Sequence, residues 1–196
     1  MPKTASARLT ELRRVPLGFA VDLVNGWGTV ARHTAGEEHQ PYPRFDQVAA
    51  AHGLEPTQFG PELERDDLVS VADALYAVFS ASSDQEAAAH VNSLLAQTMP
   101  SPRLAHLAGR LTDAWVVHAA WDGLLASCAL ALRRHLTERG DSSRLGVCSS
   151  VRCADAYVDA SPSGQKRFCD VRCQNRARVN AFRRARRSPG PALTAP

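Results

Sequence analysis

Residues 144–187 read RLGVCSSVRCADAYVDASPSGQKRFCDVRCQNRARVNAFRRARR, and this stretch decides how the chain is organised. Within it Cys148, Cys153, Cys169 and Cys173 follow the spacing Cys, four residues, Cys, fifteen residues, Cys, three residues, Cys. Two short pairs flanking a turn-length stretch can bring four thiolates to one tetrahedral centre, as in structural zinc sites. Four sulfurs fill the coordination shell and leave no position for water or substrate, so the spacing predicts one structural Zn2+ and not a catalytic ion. Between the pairs, residues 156–160, the turn-forming Ser161-Pro162-Ser163-Gly164 and residues 165–168 read as strand, turn, strand. With Tyr157, Val158 and Phe168 among its few large hydrophobes, the segment has too small a core to fold alone. Structural zinc would supply about 10–16 kcal/mol of apparent binding energy as folding energy.

Two disulfides, or four unrelated thiols, are the competing readings of the cysteines. The N-terminal residues Met1 to Arg8 contain no apolar core of signal-peptide length, and no apolar run is long enough to span a bilayer. A cytoplasmic, reducing location is therefore expected, and it favours zinc over disulfides. The fifth cysteine, Cys128, falls in the apolar helical pattern of residues 124–132 and reads as a buried, inert thiol.

After Cys173 the chain continues Gln-Asn-Arg-Ala-Arg-Val-Asn-Ala-Phe-Arg-Arg-Ala-Arg-Arg through residue 187, with no glycine or proline before Pro189. These are helix-forming residues, and the 14 residues from 174 to 187 predict a helix of about 21 Å. On it Arg172, Arg176, Arg183 and Arg187 share a stripe, Arg178 and Arg184 point elsewhere, and Val179 and Phe182 are expected to dock on the zinc module. Residues 144–187 carry eleven Lys plus Arg against three Asp, a balance of +8, whereas the remainder balances at −5 within a net +3. A basic end on an acidic body makes DNA the expected partner. The candidate contacts are Lys166, Arg167, Arg172, Arg176, Arg178, Arg183, Arg184, Arg186 and Arg187, since guanidinium matches phosphate or a guanine edge. A solvated charged face is the bland alternative, and a lipid-surface helix is disfavoured by the lack of a broad apolar face.

These residues resemble the CGNR zinc-finger family, whose motif begins at the last metal ligand and here reads Cys173-Gln174-Asn175-Arg176. The resemblance extends through Arg144 to Cys148, Tyr157-Val158-Asp159 with Ser161, Arg167-Phe168-Cys169, and Arg183 and Arg184. Gln174 stands in place of the motif glycine, and three residues instead of four separate the last two cysteines. The resemblance implies an N-terminal helical domain of the ABATE type and a role as a stress-induced transcriptional regulator. The segment Phe19-Ala20-Val21-Asp22-Leu23-Val24-Asn25 is similar to that family's opening, with Gly26 where a threonine is usual.

The 196-residue chain, 44% hydrophobic and without an internal repeat, accommodates one medium domain plus the zinc module. The fold expected is mainly α: a helical domain with a small β-hairpin, followed by a treble-clef-like zinc module of hairpin and helix. The boundaries expected are a flexible N-terminus at 1–15, an ABATE-like helical domain at 16–140, a CGNR-type finger with its basic helix at 144–187, and a disordered tail at 188–196. Leu17, Ala20, Val21, Val24 and Trp27 recur at helical spacing and predict one helix over 17–33. Residues 35–43 read as a loop and Phe45 to His52 as a short helix ended by Gly53. A longer helix begins at Pro61 and carries the stripe Leu68, Val71, Leu75, Val78 and Phe79; another runs through Ala87, Val91, Leu94 and Leu95. Strands near 104–107 and 114–117 could pair about Gly109. A long helix with the stripe Trp121, Leu125, Cys128, Leu132 and Leu136 ends at Gly140, and the zinc module is expected to ride on it.

The histidines at 33, 39, 52, 90, 106, 118 and 135 form no His-Glu-x-x-His pattern, and neither a phosphate loop nor a nucleophile elbow is present, so no catalytic residue is assigned and no enzyme is expected. Asp22, Asn25 and Trp27 are a candidate pocket for a small-molecule effector, against the ordinary alternatives of helix capping and core packing. A homodimer would help a single short helix read enough base pairs. The function expected is a zinc-dependent DNA-binding transcriptional regulator whose helical body senses a ligand or dimerises. The alternative is a zinc-stabilised protein-interaction or RNA-binding module.

Overall fold

The computed structural model describes residues 9–59, 63–119 and 122–187, with the side chains of Ala185 and Arg187 outside that description. The N-terminal segment 1–8 and the tail 188–196 lie outside the described residues, as do Pro61 and Trp121. The architecture is mainly helical, with small antiparallel sheets and a C-terminal cysteine cluster.

Strand β1 (Thr10–Leu12) precedes α1 (Leu17–Trp27) and α2 (Thr29–Ala35). The single helix expected over 17–33 is broken at Gly28, whose ψ of 129° leaves the helical region while its N–H still reaches the Val24 carbonyl at 2.9 Å. A Cβ at this position would stand 2.4 Å from that carbonyl oxygen, so a glycine is needed. The break is offset by α4 (Arg65–Phe79): its Asp73 accepts from the Thr29 amide at 2.7 Å and the Thr29 hydroxyl at 2.6 Å. A tertiary carboxylate thus supplies the N-terminal acceptor that α2 lacks locally. Buried Arg32 then closes the following loop, donating to the carbonyls of Glu37 and Gln40 at 2.6 Å and lying 4.1 Å over the Tyr42 ring.

Helix α3 (Phe45–Ala51) ends before Gly53 at φ 68°, as its sequence implies. The aromatic rings of Phe19, Phe45 and Phe59 converge there, Phe19 stacking on Phe59 at 5.5 Å. Helix α4 starts at Arg65, where Glu64 and Asp67 form a reciprocal capping box, and it buries Leu68, Val71, Leu75, Val78 and Phe79 as its periodicity requires. Helix α5 (Asp84–Thr98) is capped by Ser83, which accepts from the Glu86 amide.

Strands β2 (Ser101–Leu107) and β3 (Arg110–Val117) form a longer hairpin than the sequence suggests, turning through Ala108 and Gly109, both at positive φ. Strand β1 joins the free side of β3, Thr10 opposite Val117 and Leu12 opposite Trp115, giving the order β1-β3-β2. The N-terminus expected to be flexible to residue 15 is therefore tied into a sheet from residue 10. Three residues of strand carry too little periodicity to be read alone, and pairing with β3 decides them. Helix α6 (Gly123–Arg139) buries Leu124, Leu125, Cys128 and Leu132 and stops at Gly140, φ 82°.

The C-terminal module packs chiefly on α1 and α4, where α6 was expected to carry it. Its strands β4 (Leu145–Val147) and β5 (Ala156–Val158) lay Leu145, Val147 and Val158 against the main hydrophobic core, of which Ala156 is a buried member. Asn25 of α1 makes the polar part of the junction, its Oδ1 accepting from the Ala156 amide at 2.7 Å and its Nδ2 donating to the Ala156 carbonyl at 3.1 Å. The connection between the domains is also held, because Asp84 Oδ1 accepts from the Ser142 amide and hydroxyl at 2.7 and 2.6 Å.

Asn25→Ala removes both partners of Ala156 at a partly buried junction. It should cost about 1–3 kcal/mol, with roughly 2–4 °C of melting temperature per kcal/mol for a chain of this size. Limited proteolysis in the 140–144 connection should accelerate in the same variant. An unchanged melting curve together with unchanged cleavage would show that the junction is held by apolar packing alone.

Candidate metal centre and basic helix

The metal module begins with a hairpin that differs from the one expected. Strand β4 pairs antiparallel with β5, Leu145 opposite Val158 and Val147 opposite Ala156, so the first cysteine pair sits in the loop joining them. That loop folds on itself, with the Cys148 amide donating to the Asp155 carbonyl at 2.9 Å and the Cys153 amide to the Ser150 carbonyl at 3.1 Å. Residues 165–168, expected as the partner strand, are a loop. The buried Asp159 carboxylate takes the Lys166 amide at 2.9 Å and the Ser161 amide at 2.8 Å, and the Arg167 carbonyl is used by the Ser149 amide at 2.9 Å. The backbone groups that a strand would need are thereby consumed by a side chain and by the cysteine loop. Hydrogen bonding from Ser161 and the Lys166 amide, with the Arg144 guanidinium 4.0 Å away, holds the Asp159 carboxyl at about 2.

The second cysteine pair depends on the start of α7 (Val171–Arg187). Asp170 caps this helix, its Oδ1 accepting from the Cys173 amide at 2.8 Å, which puts Cys173 in the first turn and Cys169 just ahead of it. The cap keeps the Asp170 carboxyl below its usual range, chiefly through that amide. All four Sγ atoms lie within 4.8 Å of one another, Cys153 to Cys169 at 3.5 Å and Cys169 to Cys173 at 3.6 Å. A tetrahedron with Zn–S bonds near 2.3 Å has edges of roughly 3.8 Å, so the donor set fits zinc. Burial pushes the Cys153 and Cys169 thiols up in the absence of a cation, and a divalent ion reverses that preference by binding the thiolates. These cysteines form the site of one structural zinc ion, in a treble-clef-like arrangement of cysteine loop, hairpin and helix start. Cys128 is remote from it on α6, fully buried, with its thiol pushed up to about 12 by that burial.

Beyond its first turn α7 extends for roughly 26 Å overall, from 17 residues. Arg172, Arg178, Arg183, Arg184 and Arg186 are exposed along it, and Arg167 is exposed on the preceding loop. Arg178, Arg183 and Arg186 share one open face of the helix with Val179 and Phe182. Val179 and Phe182 do not dock on the zinc module as expected; they are 48% and 62% exposed, because α7 leaves the module after its metal-bound turn. Arg176 turns back and donates to the Arg152 carbonyl at 3.2 Å, bracing the cysteine loop. Lys166 is likewise folded inward, 5.1 Å over the Tyr157 ring with Nζ 3.4 Å from the Val158 carbonyl, so it belongs to the hairpin and not to the exposed basic face. The Arg187 side chain lies outside the described residues.

The candidate pocket is only partly assembled. Asp22 and Asn25 line a cleft of about 520 Å³ between α1 and the zinc module, with His52, Tyr157, Lys166 and Asp170. Asp22 pairs there with His52 Nε2 at 2.7 Å. Trp27, at 1% exposure, is core and does not line it. Asn25 spends both ends of its amide on Ala156, a role that its helical sequence context does not reveal. Asp159 and Arg144 entered only as part of the resemblance, without a role; Asp170 was not singled out, although an Asp three residues before Cys173, at the cap position of the helix, is a signal that could have found it.

Residues 144–187 match the family model of the CGNR zinc finger. Residues 18–139 match that of ABATE, described as a putative stress-induced transcription regulator. Neither is a family of enzymes. No curated protein matches the chain. Among the described residues no helix is long and apolar enough to cross a membrane.

Chelation of zinc should unfold residues 144–187 while leaving the helical body folded, seen as loss of the protection of α7 amides from exchange with retention in α4 and α6. Cys169→Ala should bind less than one zinc per chain by a colorimetric thiol-displacement assay, and Cys128→Ala should bind a full equivalent. A second expectation concerns Asp159. Its folded value, near 2, lies below that of an unfolded carboxylate, roughly 3.9. The ionised group therefore stabilises the fold above about pH 4 and loses that contribution as pH falls towards 2. Asp159→Asn should melt lower than the parent protein at neutral pH, with the gap between them narrowing in acid; a gap independent of pH would remove the carboxylate's charge from the account.

Proposed function

The chain belongs to the ABATE family and carries a CGNR zinc finger at its C-terminal end, and on that premise we propose that it is a zinc-dependent, DNA-binding transcription regulator acting in the cytoplasm. The observation that carries the reading is the exposed face of α7, on which Arg178, Arg183 and Arg186 present three cations. Residues 171–187 contain no Asp or Glu to neutralise them. Zinc anchors only the first turn of the helix, through Cys169 and Cys173, so the metal fixes the direction in which the rest of the helix projects. Lying against a duplex, such a helix sets its guanidinium groups on phosphates, with Arg167 and Arg172 extending the contact towards the module.

The helical body has the complementary part in this proposal. The cleft that Asp22, Asn25 and His52 share with Tyr157, Lys166 and Asp170 joins the body to the residue capping the basic helix. A small-molecule effector seated there would touch both domains at once, and dimerisation of the body would pair two basic helices on one site.

Titration of short duplexes with the zinc-loaded chain at increasing salt tests the reading. Each phosphate contact contributes about 0.9 to the slope of log K against log salt. Arg178→Gln with Arg183→Gln should weaken binding and flatten that slope by about 1.8. Binding with no salt dependence would refute an arginine–phosphate interface, and loss of binding to an acidic protein surface by these substitutions, with no duplex bound by the parent, would favour a protein-docking role for the helix.

A further inference from the structure

Cations alone would make α7 a phosphate binder, yet its exposed face is not purely cationic. Val179 and Phe182 lie between Arg178, Arg183 and Arg186 on one open face of the helix. Positions 178, 179, 182, 183 and 186 fall on one side of a helix by their spacing. Phe182 carries the Arg186 guanidinium 5.6 Å above its ring and still remains 62% exposed. An aromatic ring and a valine set among cations on one exposed face would gain from a partner that covers them. That partner must be anionic at the rim and apolar at the centre.

Duplex DNA meets both requirements. Its phosphates run along each side of the major groove, and thymine presents a C5 methyl group on the groove floor, a known apolar contact for side chains such as Phe. Val179 and Phe182 are three positions apart, roughly 4.5 Å along the helix axis, against about 3.4 Å between successive base pairs, so the two side chains reach neighbouring steps of the groove floor. RNA has the phosphates but not the apolar centre, because uracil lacks the methyl group, and its A-form major groove is too narrow for a helix. An anionic lipid surface would require a broader apolar face than two side chains.

We propose that Val179 and Phe182 are specificity-determining residues that seat against thymine methyl groups in the major groove, while Arg178, Arg183 and Arg186 hold the flanking phosphates. The assignment rests on the DNA-binding reading of α7 and adds to it a base preference, a groove and a discrimination against RNA.

The experiment uses the full zinc-loaded chain and duplexes recovered by selection from a random pool, each then rebuilt with deoxyuridine at one thymine at a time. Anisotropy titration should give a loss of about fourfold for each methyl group that the helix covers. Phe182→Ala and Val179→Ala should each lose the penalty at the thymine which that side chain covers, while Phe182→Leu keeps a preference for the methylated base. Arg178→Gln should weaken both duplexes by the same factor. Zinc content and melting temperature, read in parallel, should be unchanged for these exposed positions. If the parent protein binds duplex with strong salt dependence but is indifferent to deoxyuridine, or if Phe182→Ala retains the full methyl penalty, the specificity assignment is overturned and DNA binding stands. If no duplex binds, while an acidic amphipathic peptide does, both fall together.

Discussion

Four thiolates within 4.8 Å of one another are stable only around a cation. In this chain that requirement decides the course of otherwise separate pieces of backbone. The loop carrying Cys148 and Cys153 must curl back, the stretch before Cys169 must cross it, and α7 must begin where Cys173 can face the same centre. Asp170 makes the last condition compatible with helix geometry by capping the amide of the very residue that binds the metal. Arg176 reaches back from the next turn to the Arg152 carbonyl and ties the helix to the first cysteine loop. Beyond that turn the arginine-bearing face is exposed, so its orientation is inherited from the metal centre.

The module also leans on the helical body. Its small hairpin has too little apolar surface to form a core of its own, and Ala156, Leu145, Val147 and Val158 instead extend the main one. Apolar packing tolerates sliding, whereas the two hydrogen bonds between Asn25 and Ala156 fix one register. The cleft beside this junction brings Asp22 and His52 close to Asp170. A perturbation at the body thus has a short structural route to the start of the basic helix.

The parts of this architecture most visible in the sequence were those with a repeat distance. Cysteine spacing located the metal ligands, and helical periodicity located α4, α5 and α6 together with the buried stripes of Leu68, Val71 and Leu75 or Leu125, Cys128 and Leu132. Residues 17–33 looked like one helix because nothing near Gly28 in sequence announces Asp73, the distant carboxylate that supports a new helix start there. Residues 165–168 looked like a strand because their backbone partners, Asp159 and Ser149, cannot be inferred from alternation. Val179 and Phe182 looked like anchors for the module since apolar residues usually find a core; the direction of α7 carries them away from one.

By itself the sequence determined the composition of the site: four soft ligands at zinc spacing, a cluster of arginines without counter-charges, and helices whose stripes demand burial. These are local properties, set by residue type and by intervals of a few positions. Tertiary structure alone decided which strands pair, that Asn25 serves the domain junction and Trp27 the core, that Lys166 turns inward and Arg176 back to the cysteine loop, and that Val179 and Phe182 remain in solvent among the arginines. Each of these outcomes depends on a partner distant in sequence, or on the direction that a metal-anchored helix takes through space, and neither is encoded in any interval along the chain.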